Sequence, residues 1–568
     1  MTHEQLSRRG FLKLGGVAAG AGALASLAGC APKAPETTTE SLDNLQQART
    51  YWLGEEPTVD EASIAAEETC EMLIIGAGNA GMMAAGTAAD LGVDFIVAEK
   101  GNEVCDTREY LAAIDSKYAL EAGAEPVNKM KLLNEVTRYA SGRVSQEVIK
   151  VWLDESAEMI EWVEPIMTAA GKEIGVTVMD PKHKSGGTDY YEPTEEHFFN
   201  PTYTYPMRND ILEWYINDKG NTIRYGHDLV KLCHEDGKVT GAIFDTPEGL
   251  KRITATKGTL LATGGYAANP EMVRANLPLV ERCCTAASYS PRCDGYGLKA
   301  GIWAGGVKDV NGAPVIFDRG AVKPGVDCGY KTAPDGTQHL SATNYQLNIG
   351  SQPFLKVNRF GKRFGNESVP YDTFCNMASY QPGGVWCQVF DGSAIEDINT
   401  FKTTGCAAYT TAMLGLGIPL DDYMWYVDGG AEMMMKADTL DELADMLGFE
   451  GDNKAAFLQQ IDDYNALVDS GEDTQFGKEP HRLSRIDTAP FYGCWYGGSL
   501  LTTTDGLRID KDMRVLDEND NVIEGLFAAG DVSGCFFSDN YPEYLVACAC
   551  GRTCTEGRHA AKYIAAMD

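Results

Sequence analysis

Residues 71–100 read EMLIIGAGNAGMMAAGTAADLGVDFIVAEK, and their order decides the fold. Residues 72–75 form a continuous apolar run, the pattern of a parallel strand buried on both faces. The run enters Gly76-x-Gly78-x-x-Gly81, which opens a helix of small residues predicted to end near Asp90. A second apolar strand, 93–98, ends at Glu99. Each glycine has a physical task. Gly76 makes a tight turn, Gly78 lets backbone N–H groups approach a pyrophosphate, and Gly81 lets helix and strand pack closely. The helix start, with Ala80 in its first turn, directs a positive dipole end at the phosphates. Glu99, followed by Lys100, stands where an acid accepts bonds from a ribose 2′-OH, so NADP is disfavoured. Strand, glycines, helix, strand and acid in this order predict a dinucleotide site.

The first thirty residues carry an address. Ser7-Arg8-Arg9-Gly10-Phe11-Leu12-Lys13 has the form of a twin-arginine export signal, and the apolar stretch 14–28 is short and rich in Gly and Ala. It ends Leu27-Ala28-Gly29-Cys30, the form of a lipoprotein cleavage site, with Cys30 as the lipidated first residue. The expected destination is the outer face of the cell membrane, reached by a route that exports folded, cofactor-loaded chains. An ordinary cleaved signal is the alternative.

The chain has 568 residues, enough for two or three cores, and a net charge of −34. Without Arg8, Arg9, Lys13 and Glu4 of the leader the charge is −36, which excludes nucleic acid and anionic membrane surfaces as partners. The 16 cysteines include no CxxC pair, CxxCH haem site or ferredoxin spacing, and no metal-ligand set is read from them. Cys283, Cys284 and Cys293 cluster, as do Cys548, Cys550 and Cys554. Reduced buried thiols and an iron–sulfur site are the two readings, with the first favoured.

Residues 1–29 are read as signal and 30–67 as a tether, with one short helix around 60–68. Residues 68–344 and 486–568 are assigned to the nucleotide-binding domain. Residues 143–167 have a helical apolar stripe, and 222–263 read as a β-meander broken at Asp236-Gly237 and Pro247-Glu248-Gly249. Its last strand runs into Ala262-Thr263-Gly264-Gly265, a second close approach to the cofactor. Over 345–485 the composition turns aromatic, Met-rich and irregular, and a capping domain is predicted there. The resulting fold class is α/β: a Rossmann-like FAD-binding domain with an inserted α+β cap.

The landmarks GAGNAG (76–81), LATGGYAAN (261–269), VNRFGKRFGNE (357–367), APFYG (489–493), GLRID (506–510) and GLFAAGDVSG (525–534) resemble, in order, those of the FAD-dependent fumarate reductase and ketosteroid dehydrogenase superfamily. With its leader, the chain is also similar to the exported flavin reductases of gut actinobacteria. The resemblance implies non-covalent FAD, with Gly530 and Asp531 at the ribityl chain or pyrophosphate. It adds Thr107, Leu545 and Val546 to the cofactor contacts, and implies a cap that closes over the substrate.

The chain departs from the fumarate-type pattern where dicarboxylate is held. The positions of the binding His and Arg are Thr502 and Tyr541, and the proton-donating Arg of the FDxxxR-like motif falls near Ile395. A dicarboxylate desolvated without those partners costs several kcal/mol. Tyr541-Pro542 matches the Tyr-Pro of ketosteroid dehydrogenases, where a phenol bonds the substrate carbonyl; packing is its other reading. Tyr544 is a partner or core. Glu367 matches the cap's proton relay, or is a salt-bridged cap residue, and Tyr371 replaces the arginine of the TTRD-like run. The function implied is reduction of an activated C=C bond (enone, lactone or aromatic enoate), with hydride from flavin N5 to the β-carbon. This serves anaerobic electron disposal fed by a membrane quinol-oxidising cytochrome. The alternatives are the reverse dehydrogenation of a ketone and a non-catalytic, lipid-anchored flavin electron carrier.

Overall fold

The computed structural model describes residues 50–105, 108–178, 194–340, 346–403, 407–427 and 432–568. The leader, Cys30 and Thr107 lie outside the described residues. The chain divides into residues 1–54 and 55–568, and the second unit holds both large sheets.

β1 (Ile64–Ile75) starts well before the apolar run that predicts it. Where a helix is expected over 60–68, Asp60 caps a single turn of 3-10 helix, accepting from Ala62 N at 3.0 Å, and the strand begins at once. Long-range pairing overrides the local composition. Ile64–Ile75 runs parallel to residues 250–261, and Glu67 and Glu68 reach Arg252 (2.9 Å) and Lys251 (3.0 Å) on that neighbour. α1 (Asn79–Leu91) follows the glycine turn and stops at Gly92, whose φ of 69° ends the helix in a left-handed cap. β2 (Phe95–Glu99) then lies parallel to β1. α2 (Gln146–Ala169) is capped by Ser145 and buries Val148, Trp152 and Met159 as its stripe predicts.

The meander appears as β3 (Ile223–Tyr225), β4 (Asp228–Glu235), β5 (Lys238–Thr246) and β6 (Gly249–Leu261), with turns at the predicted breaks. The second sheet takes β7 (Cys284–Ala287), β8 (Pro314–Val322), β9 (Leu355–Val357), β10 (Trp386–Phe390) and β11 (Met435–Ala437), with α3 (Tyr371–Ala378) between β9 and β10. All five strands are organised around β12 (Phe491–Thr503), which pairs directly with β7, β8, β10 and β11. β13 (Arg514–Leu516) and β14 (Val522–Ala528) return to the first sheet, whose parallel core runs β3-β2-β1-β6-β14. α4 (Cys548–Ala565) closes the fold against α1, and a Cβ on Gly557 would lie 2.2 Å from Ala80 O.

The α/β class and its FAD-binding architecture are as predicted. The cap's sheet nevertheless draws strands from both sides of the 345–485 segment. β12 explains this: residues 491–496 bind cap strands β10 and β11, while 495–503 bind β8. Composition marks only where the irregular segment begins. The cap core gathers Val322, Leu355, Val389, Phe449, Phe457 and Trp495, with Phe449 stacked on Phe457 at 4.5 Å.

Candidate functional site

The carboxyl ends of β1, β6 and β14 converge on the start of α1 and enclose a cavity. Gly76, Gly78 and Ala80 line one side, and Glu99 and Lys100 a second. Ala262, Thr263 and Gly264 form a third wall, and Gly530 and Asp531 a fourth. Gly76 takes φ +107°, and a Cβ there would meet Ala262 O at 2.5 Å. At Gly78 a Cβ would meet nothing within 4 Å, so the backbone fronts open cavity, and no side chain caps the helix start. Its first amides are therefore free to serve an anion.

Four predicted residues stand behind the wall instead. A Cβ on Gly81 would lie 1.9 Å from Gly76 O, and one on Gly265 would lie 2.3 Å from Thr503 Oγ1. Leu545 and Val546 are buried in the turn before α4.

The polar groups of this cavity fit FAD. Asp531 Oδ1, Arg108 Nε, Thr263 Oγ1 and His227 Nε2 are buried without a hydrogen-bond partner, and all four residues line the cavity. Buried polar atoms are rarely left so, and hydroxyls and phosphates of a dinucleotide satisfy both donors and acceptors of this set. Asp531 is held by Thr502 Oγ1 (2.6 Å) and Arg108 (3.6 Å), so the Thr502 hydroxyl is committed to a carboxylate of the cavity wall. Lys100 is paired with Asp294 at 2.8 Å.

Glu99, on the wall of the cavity, has backbone partners of its own. It accepts from Ala77 N (2.9 Å) and Gly101 N (2.7 Å), pinning the glycine turn, and lies 3.3 Å from Arg292. Glu99→Ala is expected to weaken FAD binding by on the order of 1.5–3 kcal/mol through loss of charge-assisted bonds. Fluorescence titration of the apoprotein with FAD measures this, and an unchanged Kd would remove Glu99 from the site.

A second cavity lies toward the cap, lined among others by Asp318, Ser351, Glu367, Tyr371, Arg482 and Glu543. Of the four expected catalytic residues, Glu367 and Tyr371 line it, and Tyr541 and Tyr544 do not. Tyr541 donates its phenol proton to Leu545 O (3.0 Å) and accepts from Ala549 N (3.2 Å), tying the turn to the first amides of α4. Its donor is spent on the backbone, so the expected bond to a substrate carbonyl is not made in this arrangement.

Glu367 is fully buried and forked onto Arg363 through two bonds of 2.8 Å, with Lys478 at 3.5 Å. Burial alone would raise its pKa, but Lys478 and Arg363 outweigh burial and hold it below the usual range. It is a fixed anion. Tyr371 begins α3 and packs its ring edge-on to Phe317 at 4.9 Å. Tyr544 packs on Tyr139 at 5.8 Å, and Tyr139 donates to both oxygens of Asp372 (2.9 and 2.8 Å).

Asp318, Asp372, Glu543 and Arg108 escaped the sequence reading. Asp318 is held by Lys356 (2.8 Å) and Ser351 (2.6 Å), and burial pushes Asp372 up to about 7. None belongs to a spaced motif; the one available signal was Glu543, two residues from Tyr541. Among the described residues, no three His, Cys, Asp or Glu side chains gather as a metal site, and the described cysteines are thiols outside any disulfide.

The geometry defines a flavin enzyme, and the comparisons agree. The chain belongs to the FAD binding domain family, whose profile matches residues 71–542, and FAD is its cofactor. It is 26% identical to vinyl phenol reductase of Lactiplantibacillus plantarum, over 88% of this chain and 98% of that one. It is 25% identical to a probable fumarate reductase of Shewanella frigidimarina, over 82% and 70%. In fold it matches the 3-ketosteroid Δ1-dehydrogenase of Sterolibacterium denitrificans with a TM-score of 0.66 at 19% identity, over 88% of this chain and all of that one.

Proposed function

We propose that this chain is an FAD-dependent reductase of an activated C=C bond, an enone, lactone or aromatic enoate, whose substrate sits in the second cavity. Its oxidoreductase class, acting on CH–CH groups, follows from its relatives. The observation that carries the substrate assignment is the pairing of the charges in that cavity. Asp318, Glu367 and Glu543 line it, and the cations beside the first two are already bound to them, Lys356 to Asp318 and Arg363 to Glu367, so a small dicarboxylate would find acids in place of the His and Arg of fumarate-type enzymes. Arg482 also lines it, but its Nε donates to Phe401 O at 3.0 Å. The similarity to vinyl phenol reductase supports an aromatic, neutral acceptor.

Bound FAD, when reduced, supplies hydride. The residues that would hold it are the amides at the start of α1, Gly78 to Ala80, with Glu99 at the ribose and Asp531 at the ribityl chain or pyrophosphate. On the cap side, Tyr371 lines the second cavity and is the aromatic side chain there that would pack against an unsaturated planar substrate. The buried walls keep water from the reacting carbons. Electrons come from a membrane quinol-oxidising cytochrome, and the chain works outside the cell membrane, anchored at Cys30. Recovery of an unlipidated chain from the cytosol would overturn that placement.

Direct assay tests the chemistry. The FAD-loaded protein, reduced anaerobically by a viologen dye, is mixed with enones, hydroxycinnamates, vinyl phenols and fumarate. Rapid flavin reoxidation with a saturated product is expected for an acceptor in the first three groups. Fumarate outpacing them all, or no acceptor working, would refute the reading.

A further inference from the structure

Reduction of a C=C bond needs a proton as well as hydride, and in a buried site a side chain must carry it. None of the expected candidates does so plainly: the Tyr541 hydroxyl donates its hydrogen bond to Leu545 O, and Glu367 is clamped as an anion by Arg363. Glu543 is placed differently. One of its oxygens accepts from Tyr371 N at 3.0 Å, the first amide of α3, and the side chain lines the second cavity. The segment that carries it also carries Tyr541, whose phenol accepts from Ala549 N at 3.2 Å at the start of α4, the helix whose Thr553 lines the FAD cavity. The segment of Glu543 is thus tied to an element of the FAD cavity.

The charges around Glu543 come from every side. Asp318 faces it from β8, Asp372 from α3 and Arg482 from the turn at 480–482, while Glu367 shares the cavity. Two of the nearby cations are committed elsewhere: Lys356 to Asp318, and Lys478 to Glu367. A carboxyl buried beside other acids keeps its proton. Burial, with Asp318 and Asp372 adding to it, pushes Glu543 up to about 8.

We propose that Glu543 is the acid that delivers a proton to the α-carbon of the reduced bond. The assignment rests on the reading of the second cavity as the substrate site. With a hydride, two electrons and one hydrogen, supplied at the β-carbon, the π pair of the substrate would shift to the α-carbon. There a C–H bond forms as the O–H bond of Glu543 breaks, leaving a carboxylate that regains its proton from water.

Glu543→Gln keeps an acceptor for Tyr371 N and removes only the proton, which separates acid catalysis from helix capping. With the FAD-loaded enzyme and an acceptor that works on the wild type, reoxidation of reduced flavin is expected to slow by roughly a hundred-fold or more, as loss of a general acid does. FAD affinity and the thermal midpoint should hold. The wild-type rate should fall as pH rises through about 8, where the acid loses its proton, and that limb should vanish in E543Q. Infrared difference spectra across the same pH range should show a protonated carboxyl band that E543Q lacks. If E543Q does not fold, Glu543→Asp takes its place and should keep both limb and band; the lack of either counts against the assignment. Near-normal E543Q turnover, or an unchanged carboxyl band, overturns it while leaving the function standing. A wild type that no acceptor reoxidises overturns the function and this role together.

Discussion

Gly81→Ala is expected to yield a protein that neither holds FAD nor folds with native stability. The added methyl carbon would stand 1.9 Å from Gly76 O, a backbone atom that cannot swing aside. Gly76 cannot retreat either, because its own Cα faces Ala262 O and its φ of +107° belongs to glycine. The start of α1 must therefore lift away from β1, carrying with it the amides that cradle the pyrophosphate. Overpacking of this kind costs about 1–3 kcal/mol or more, and lost phosphate contacts add to it in binding. Flavin absorbance of the purified variant and its thermal midpoint with and without FAD provide the check. Gly78→Ala is the control: its Cβ projects into open cavity, so it should fold normally and lose only FAD affinity. A yellow, fully stable Gly81→Ala protein would mean that the helix start has slack the structure does not show.

Arg363→Met should be the most destabilising change in the cap. Its guanidinium reaches Glu367 and Asp473 from a fully buried position, with bonds of 2.8 and 2.9 Å, and all three side chains are sealed from solvent. Removing the cation leaves two buried carboxylates with too little compensation, which costs about 3–5 kcal/mol. The denaturant midpoint at neutral pH should drop accordingly.

The pH dependence has a definite sign. Burial would raise Asp473, but Arg363 with the Lys478 amide holds it down to about 2. A carboxylate with a depressed folded pKa contributes stability above its unfolded value near 4, and loses it as pH falls through the folded value. The gap between wild type and variant should therefore be widest near neutrality and close between about pH 4 and pH 2. A gap that stays constant with pH would show that lost packing, not charge, dominates.

The nucleotide half was legible because its signals are local. A glycine that must tolerate a positive φ, a small residue where two backbones touch and an acid at a strand end are each imposed within a few residues. GAGNAG, Glu99 and the meander turns could thus be read before any fold existed. The extent of β1 was not legible, since residues 64–70 become strand only by pairing with β6. The make-up of the second sheet was not legible for the same reason: β12 divides its hydrogen bonds between segments far apart in the chain.

The site splits along the same line. Sequence by itself determined the FAD cradle and the loss of the dicarboxylate-binding His and Arg. Only the tertiary structure decided what replaced them: the Tyr541 phenol turned onto its own backbone, Glu367 locked by Arg363, and Glu543 set beside Asp318 and Asp372. Hydrogen-bond partners and burial, not residue type, determine whether a tyrosine or carboxyl can give up a proton, and these follow from contacts between segments that lie far apart in the chain.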